Sequence, residues 1–208
     1  LVMHGAIRSA IAFALLLAWA LLRRVRLFER DGTLAPGLLA GILFGTEFAM
    51  IYAGLAYTTA ARMVVFLYLA PCLTALGLAW FVPGERMTSL QWSGVAIAFA
   101  GIVFAFGDGF STHGASTWPG DALGIAAAFG WAATTVLIRA TSLARVSAAK
   151  TLAWQLGVSA PLMLAASLAL GEPGVVQLTF TALASLAYQA AIVAFASYLM
   201  WFWLLTRY

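Results

Sequence analysis

Residues 83–94, with the sequence PGERMTSLQWSG, separate two long runs of apolar residues. Within this stretch Glu85 and Arg86 are adjacent opposite charges, in a chain of 208 residues of which only 9% are charged. The Pro-Gly pair that opens the stretch is typical of a helix end, and Ser89 can cap a following helix. The stretch therefore predicts a tight polar turn between two apolar helices.

The composition of the whole chain indicates that these helices lie in lipid. Hydrophobic residues make up 64% of the chain, and its mean hydropathy is +0.99, whereas a soluble domain is about 45–50% apolar and about 25% charged. The net charge is +4. The basic residues lie at the ends of apolar runs, as in membrane proteins, and do not cluster into the basic surface that a nucleic acid would need. We therefore expect no nucleic-acid partner. Cys72 is the single cysteine, which excludes an internal disulfide framework.

Seven apolar runs along the chain are long enough to span a membrane, since a bilayer core about 30 Å thick needs about 20 residues of helix. The runs cover residues 5–22, 35–56, 60–82, 89–107, 120–140, 148–170 and 178–206. The sequence therefore predicts an all-α fold, a polytopic bundle of about seven transmembrane helices.

The arginine and lysine residues predict the orientation of this bundle. If the loop after the first run faces the cytoplasm, nine of the eleven basic residues lie on the cytoplasmic side, as the positive-inside rule requires. Arg8 and Arg62 are the two exceptions. We expect their side chains to snorkel to the outer headgroups.

Small residues in the second run predict close contact between helices. Gly37, Gly41 and Gly45 follow a four-residue spacing, which lets helix backbones approach each other in lipid. Glu47 lies about 200° around the helix from Gly45, and a carboxyl group that faces lipid is unfavourable. We therefore expect this helix to be enclosed on two opposite faces and to border a cavity.

The candidate substrate-binding residues are polar or aromatic side chains within the predicted spans. Glu47 is the acid that lies well inside a span, where it could carry a proton, bind a substrate amine or be a structural carboxyl with a hydroxyl partner. The other candidates are Tyr52, Trp131, Gln155, Tyr188 and Gln189. Packing and hydrogen bonds between helices are the alternative roles for this second group.

Two prolines within spans are candidate hinges. Pro71 and Pro161 each remove one backbone hydrogen bond, which produces either a moving joint or a static kink. His4 and His113 have no Cys, Asp or Glu partner at metal-ligand spacing. We expect no metal, no cofactor and no catalytic triad.

Several stretches together resemble the EamA-like branch of the drug/metabolite transporter superfamily. Residues 54–104 carry a Y-T-x-A-A motif, Pro71, the G-E-R turn and the Q-x-x-G sequence that opens the next helix. Residues 120–140, GDALGIAAAFGWAATTVLIRA, resemble the start of the family's second repeat. Residues 3–24 resemble the family's second helix.

The resemblance implies ten helices in two five-helix repeats of inverted orientation, of which this chain covers helices two to eight. The first repeat then occupies residues 1–107, residues 108–119 form an extracytoplasmic loop, and the truncated second repeat occupies residues 120–208. The implied protein is no enzyme. It is a bacterial inner-membrane exporter or permease for small metabolites such as amino acids or drugs, working by alternating access around a midplane cavity.

Proton coupling through Glu47 and assembly as a homodimer stay open at this point. Two other functions also fit an apolar bundle: an intramembrane enzyme acting on lipids, and a non-transporting membrane scaffold held together by its glycine-rich helices. Scattered acids and two distant histidines disfavour the enzyme, because such a site gathers several of these groups near one interface.

Overall fold

The computed structural model describes residues 1–27, 29, 31–82, 84, 87–105, 117–175 and 179–207. All regular structure in these residues is helical. The helices are α1 (Val2–Leu22), α2 (Leu34–Gly54), α3 (Ala60–Leu67), α4 (Leu69–Phe81), α5 (Ser89–Ala105), α6 (Trp118–Ala140), α7 (Ala148–Ala169), α8 (Phe180–Tyr188) and α9 (Tyr198–Arg207). A π-helical segment, Gln189–Ser197, connects α8 to α9 without a break. The predicted all-α fold is confirmed.

Six helical stretches in the described residues are long and apolar enough to cross a membrane. They are Val2–Leu22, Leu34–Gly54, Ala60–Phe81, Trp118–Ala140, Ala148–Ala169 and Phe180–Leu204. The remaining predicted span forms α5, which has 17 residues and is therefore about 26 Å long. Most of the predicted loop 108–119 lies outside the described residues. The chain is a polytopic helical membrane protein.

The chain divides into two compact units. Unit 1 comprises Leu1–Ala49 and Thr141–Tyr208, and unit 2 comprises Met50–Ala140. Their boundaries are not those of the two repeats that the resemblance implies. The predicted repeats 1–107 and 120–208 therefore stay a prediction.

In unit 1, α1 packs against α7 in the antiparallel direction. Hydrogen bonds and an ion pair connect the two helices at both ends. At one end the Glu172 carboxylate, just after α7, accepts hydrogen bonds from the backbone N–H groups of Val2 at 2.9 Å and Met3 at 2.7 Å. A carboxylate at a helix N-terminus satisfies free N–H groups and suits the positive end of the helix dipole.

At the other end of the pair, Lys150 in the first turn of α7 holds the loop between α1 and α2. Its ammonium group donates to Asp31 Oδ2 at 2.6 Å and to the carbonyl oxygen of Glu29 at 2.8 Å. Lys150 is almost fully buried. A buried ammonium ion needs such acceptors, because it would otherwise lose its hydration without compensation.

The glycines of α2 lie against α7, as their spacing predicts. A methyl group at Gly41 would come within 2.5 Å of Val158 Cβ and 2.6 Å of the Trp154 carbonyl oxygen. Gly37 and Gly45 make similar approaches to Trp154 and Ser159. Only the absence of a Cβ atom permits this distance between the two helix backbones.

The glycines of α2 and Glu47 are both buried, as expected, but they lie at the two edges of one continuous buried face and not on two separate faces. Gly45 and Glu47 lie about 160° apart by the shorter way round the helix, and the buried Phe44 and Phe48 fill that arc. The other side of α2 is exposed at Leu39 and similar residues. The helix has one broad buried face, with the glycines at one edge and Glu47 at the other.

In unit 2, α6 packs against both α3 and α4. The Arg62 guanidinium pairs with the Asp121 carboxylate, with Nη2 to Oδ2 at 2.5 Å and Nε to Oδ1 at 3.2 Å, and the Thr58 hydroxyl donates to the same carboxylate at 3.0 Å. Both charged side chains are largely buried. The expectation that Arg62 snorkels is therefore wrong, because a carboxylate within the protein satisfies its charge.

The third predicted span is divided in the structure. α3 ends at Leu67, Tyr68 forms a joint, and α4 begins at Leu69 with Pro71 as its third residue. Pro71 cannot donate a hydrogen bond to the carbonyl group of Leu67, four residues earlier, which explains why the break falls here.

The turn that begins at residue 83 lies partly outside the described residues, but its junction with α5 is described. The Thr88 hydroxyl accepts a hydrogen bond from the Gln91 N–H at 3.3 Å, and the Gln91 side-chain oxygen accepts one from the Thr88 N–H at 2.8 Å. This reciprocal pair is a capping box. Thr88, and not the expected Ser89, caps the helix, because its hydroxyl is correctly placed for the third residue of α5.

Candidate functional site

Two opposite charges lie buried inside the spanning helices of unit 1. Arg8 on α1 and Glu47 on α2 are each only 3% exposed. The expectation that Arg8 snorkels is wrong. It lies on the same buried side of α1 as Ser9, Ala12 and Leu16, which faces other helices.

Arg8 also contacts an aromatic cluster beside Glu47. The guanidinium carbon lies 4.1 Å from the ring centroid of Phe48, a cation–π contact that is stronger in a dry environment. The Phe48 ring lies 4.9 Å from Phe44, and Phe44 meets Tyr198 edge-on at 5.6 Å. Tyr198 begins α9 directly after the π-helical segment. Residues of three helices, α1, α2 and α9, therefore meet in this cluster.

Gln155 on α7 and Ser9 on α1 add polar groups to this interior. Both are fully buried. Neither the Gln155 amide nitrogen and oxygen nor the Ser9 hydroxyl has a hydrogen-bond partner among the residues that the structure describes. Leaving such groups unpaired is unfavourable by about 1–3 kcal/mol each. They are therefore available to a polar molecule bound among the helices.

The remaining candidates of unit 1 lie farther along the chain. Tyr188 ends α8 and is 61% exposed. Gln189 opens the π-helical segment and donates a hydrogen bond to the Ser185 hydroxyl at 3.2 Å, one turn earlier in the same helical stretch. Pro161 lies within α7, which continues from Ala148 to Ala169 without interruption.

Three other predicted residues belong to unit 2. Tyr52 is half-buried near the end of α2, and Trp131 is 38% exposed on α6. Pro71 lines a groove of about 460 Å³ between α4 and α5. The other residues lining it are Cys72, Ala75, Leu78, Met87, Gln91, Gly94, Val95 and Ala98. The candidates thus fall into two sets, one in each unit.

The sequence reasoning missed several residues of the cluster around Glu47. Arg8 met the same criterion as Glu47, a charge within an apolar run, but its position near a helix end favoured a headgroup role. Phe44, Phe48 and Tyr198 gave no separate signal, because aromatic residues are frequent throughout the chain. No group of three or more His, Cys, Asp or Glu residues in the described ranges could hold a metal ion.

The sequence profile of the EamA-like transporter family matches residues 2–107, slightly more than half of the chain. The chain belongs to the EamA-like transporter family. EamA-like proteins are membrane transporters of the drug/metabolite type, so this chain is part of a multi-pass membrane transporter with a small-molecule substrate.

The fold of nearly the whole chain is also found in a solved structure. A crystal structure of a protein superimposes with a TM-score of 0.80 and is 23% identical in sequence. The superposition covers 99% of this EamA-like chain and 70% of the other. No curated protein sequence matches the chain.

Proposed function

We propose that this EamA-like protein is an exporter or permease for small metabolites, such as amino acids or drugs, in a bacterial inner membrane. It would work by alternating access of two inverted repeats around a midplane cavity. The burial of Arg8 and Glu47 inside spans carries this proposal, because charged residues there are unfavourable unless they serve a substrate or ion path.

The burial of Glu47 and Gln155 supports a binding site in unit 1. Gly45 of α2 lies against Ser159 of α7, and Gln155 lies one turn before Ser159 on that helix. The two candidates therefore lie on helices in direct contact, and both are buried. A carboxylate and an amide with free hydrogen-bonding capacity suit a small polar substrate.

Transport by the full-length protein in proteoliposomes tests the proposal, with labelled amino acids, purines and cationic dyes as probes. Glu47→Gln should lower the transport rate at least about tenfold, the loss that 1.4 kcal/mol produces. Glu29→Gln is the matched control, because Glu29 is an exposed loop acid whose side chain bonds only Arg26 among the described residues. Unchanged transport in Glu47→Gln would contradict the role of Glu47.

Proton coupling through Glu47 is part of the same proposal. Glu47 is a buried acid inside a span, so coupling requires its carboxyl group to gain a proton in one access state and to release it in the other. Transport by the wild type should then depend on an imposed pH gradient, and transport by Glu47→Gln should not. The same dependence on the pH gradient in both proteins would show that the proton does not pass through Glu47, and no dependence in the wild type would leave the substrate's own gradient as the energy source.

Association as a homodimer is proposed as well, with the exposed apolar side chains of α5 as the contact surface. Ile97 and Phe104 on this helix are largely exposed. In lipid, such a surface can face either acyl chains or a second copy of the protein.

A further inference from the structure

A groove of about 480 Å³ opens at the C-terminal end of α1 in unit 1. It is formed by the last turns of α1 and by the segment that follows the helix. Its apolar lining residues are Leu17, Ala20, Leu21, Val25 and Leu27. A volume of this size is within the range of small-ligand sites, about 300–1,000 Å³. We call this feature the arginine groove, after the residues at its border.

Three exposed arginines border the arginine groove: Arg23, Arg24 and Arg26. Arg23 and Arg24 directly precede Val25 of the lining, and Arg26 is itself a lining residue. Arg26 pairs with the Glu29 carboxylate at 3.0 Å. Arg23 and Arg24 form no ion pair with any residue that the structure describes. Among those residues, the border of the groove therefore carries two uncompensated positive charges.

The backbone at Arg24 is in the left-handed region, with a φ of 54°. α1 ends here in a Schellman motif, in which the Val25 N–H donates to the Ala20 carbonyl oxygen at 2.9 Å and the Arg24 N–H donates to that of Leu21 at 3.2 Å. Glycine is the usual residue at this position, because a side chain is strained there. An arginine in its place indicates that the guanidinium group has a role at this surface.

The groove changes from apolar to basic at the depth of a membrane surface. α1 is long and apolar enough to cross a membrane, and it ends at Leu22. Trp19 lies in the last turn of α1, and tryptophan side chains favour the boundary between hydrocarbon and headgroups. The apolar lining therefore lies on the hydrocarbon side of this boundary and the arginines on the headgroup side.

We propose that the arginine groove binds an anionic phospholipid, with an acyl chain along the apolar lining and the phosphate group on Arg23 and Arg24. Guanidinium groups bind phosphate through paired hydrogen bonds, and basic clusters beside a transmembrane helix attract anionic lipids. A soluble anion would leave the apolar lining unused, and a zwitterionic lipid brings its own positive charge beside the phosphate. Lipid binding at this groove does not depend on which substrate the protein transports.

Native mass spectrometry of the full-length protein in detergent tests the site. The probes are phosphatidylglycerol and phosphatidylcholine with the same acyl chains, added in equal amounts. The wild type should retain phosphatidylglycerol in preference. Arg23→Gln and Arg24→Gly should each lower the ratio of bound phosphatidylglycerol to phosphatidylcholine about fivefold, the change that about 1 kcal/mol of lost attraction per arginine produces. Equal retention of the two lipids by the wild type would overturn the proposal.

Arg24→Gly keeps the fold while it removes the charge, because glycine adopts the left-handed conformation without strain. Its Tm in detergent without added lipid should stay close to that of the wild type. Arg145→Gln is the matched control, because Arg145 is an exposed arginine of the same unit that does not line the groove. It should leave the lipid ratio nearly unchanged. Equal losses in Arg145→Gln and Arg24→Gly would show a general attraction of anionic lipids to basic residues and would overturn the site.

Leu21→Ala tests the apolar half of the site. Leu21 lines the groove and is 79% exposed, so its truncation removes contact with a lipid chain and leaves the packing of the helices intact. Both lipids should be retained less than by the wild type, whereas their ratio should stay the same because the arginines are unchanged. Unaltered retention of both lipids in Leu21→Ala would show binding of the headgroup alone and would overturn the proposed lipid site.

Discussion

At the scale of single residues, the partner of each charge decides where it lies. Arg8 and Arg62 stand within apolar runs, and a count of charges places both at the outer surface. The structure buries both, Arg8 against the ring of Phe48 and Arg62 against Asp121. For Arg62, the Asp121 carboxylate from another helix takes the place of the water that a snorkelling arginine would reach. The order of charges along the chain does not show that this carboxylate lies beside the arginine.

Asp31 provides a test of this principle through pH. The hydrogen bond from the Lys150 ammonium, followed by those from Thr33, lowers the pKa of Asp31 to about 2 from its ordinary value of 3.8. The folded protein therefore binds the Asp31 proton more weakly than the unfolded chain. The resulting stabilisation is complete above about pH 5 and is lost as the pH falls through about 2.

Asp31→Asn should therefore lower the Tm of the protein in detergent at pH 7, and the Tm difference from the wild type should close as the pH approaches 2. Glu29→Gln is the control, because the exposed Arg26–Glu29 pair contributes little to stability at any pH. A Tm difference between Asp31→Asn and the wild type that stays constant from pH 6 to pH 2 would contradict the assigned interaction.

At the scale of elements, two kinds of interaction position the helices of unit 1. One is close contact between helix backbones at glycines, and the other is hydrogen bonding by charged side chains at the helix ends. The glycines of α2 bring it against α7, and α7 is tied to the start of α1 by Glu172. The π-helical segment Gln189–Ser197 changes the register of the last span just before Tyr198 reaches the aromatic cluster. Such segments are frequent at functional sites.

Gly41→Ala tests the contact between α2 and α7. The added methyl group would lie 2.6 Å from the backbone carbonyl oxygen of Trp154, which cannot rotate away as a side chain can. We expect the substitution to lower the free energy of unfolding by about 1–3 kcal/mol, the usual cost of overpacking. Thermal or denaturant unfolding in detergent measures the change.

The matched control is Gly101→Ala on α5, where no atom lies within 4 Å of the added methyl group. Alanine has the higher helix propensity by up to about 1 kcal/mol, so this variant should be as stable as the wild type or more so. Equal effects of the two substitutions would show that the glycines of α2 do not set the distance between helices.

At the scale of the whole molecule, the predicted orientation rests on the basic residues at the ends of the spans. The loop after α1 contains several arginines and should face the cytoplasm. The loop after α7 contains Glu172 and should then lie outside. The predicted inversion of the two repeats follows from their odd number of helices, and the assignment of the cytoplasmic side sets the direction of each repeat.

Cysteine labelling in intact cells tests this orientation. In a Cys72→Ser background, a membrane-impermeant maleimide should label Val175→Cys in the outer loop, where the side chain is exposed. It should label Val25→Cys only after the cells are permeabilised. Labelling of Val25→Cys but not Val175→Cys in intact cells would invert the topology and remove the support for the proposed direction of the repeats.

The sequence by itself determined the class of the protein, the positions of its spans and its family. These properties depend on the hydropathy of contiguous residues, on turn residues and on local motifs, and the observed helix Ala148–Ala169 lies within one residue of the predicted run 148–170. The sequence also identified Glu47 and Gln155 as unusual, because a polar group in an apolar run is visible without any knowledge of its neighbours.

Only the tertiary structure decided which side chains share the interior with Glu47. Arg8, Phe48 and Tyr198 come from three helices that are distant in sequence, and their meeting depends on the rotation and register of each helix. The contact of the α2 glycines with α7 and the π-helical segment before Tyr198 set this rotation and register. Hydropathy is nearly uniform around these apolar helices, so no pattern in the sequence specifies which side of a helix faces its neighbours.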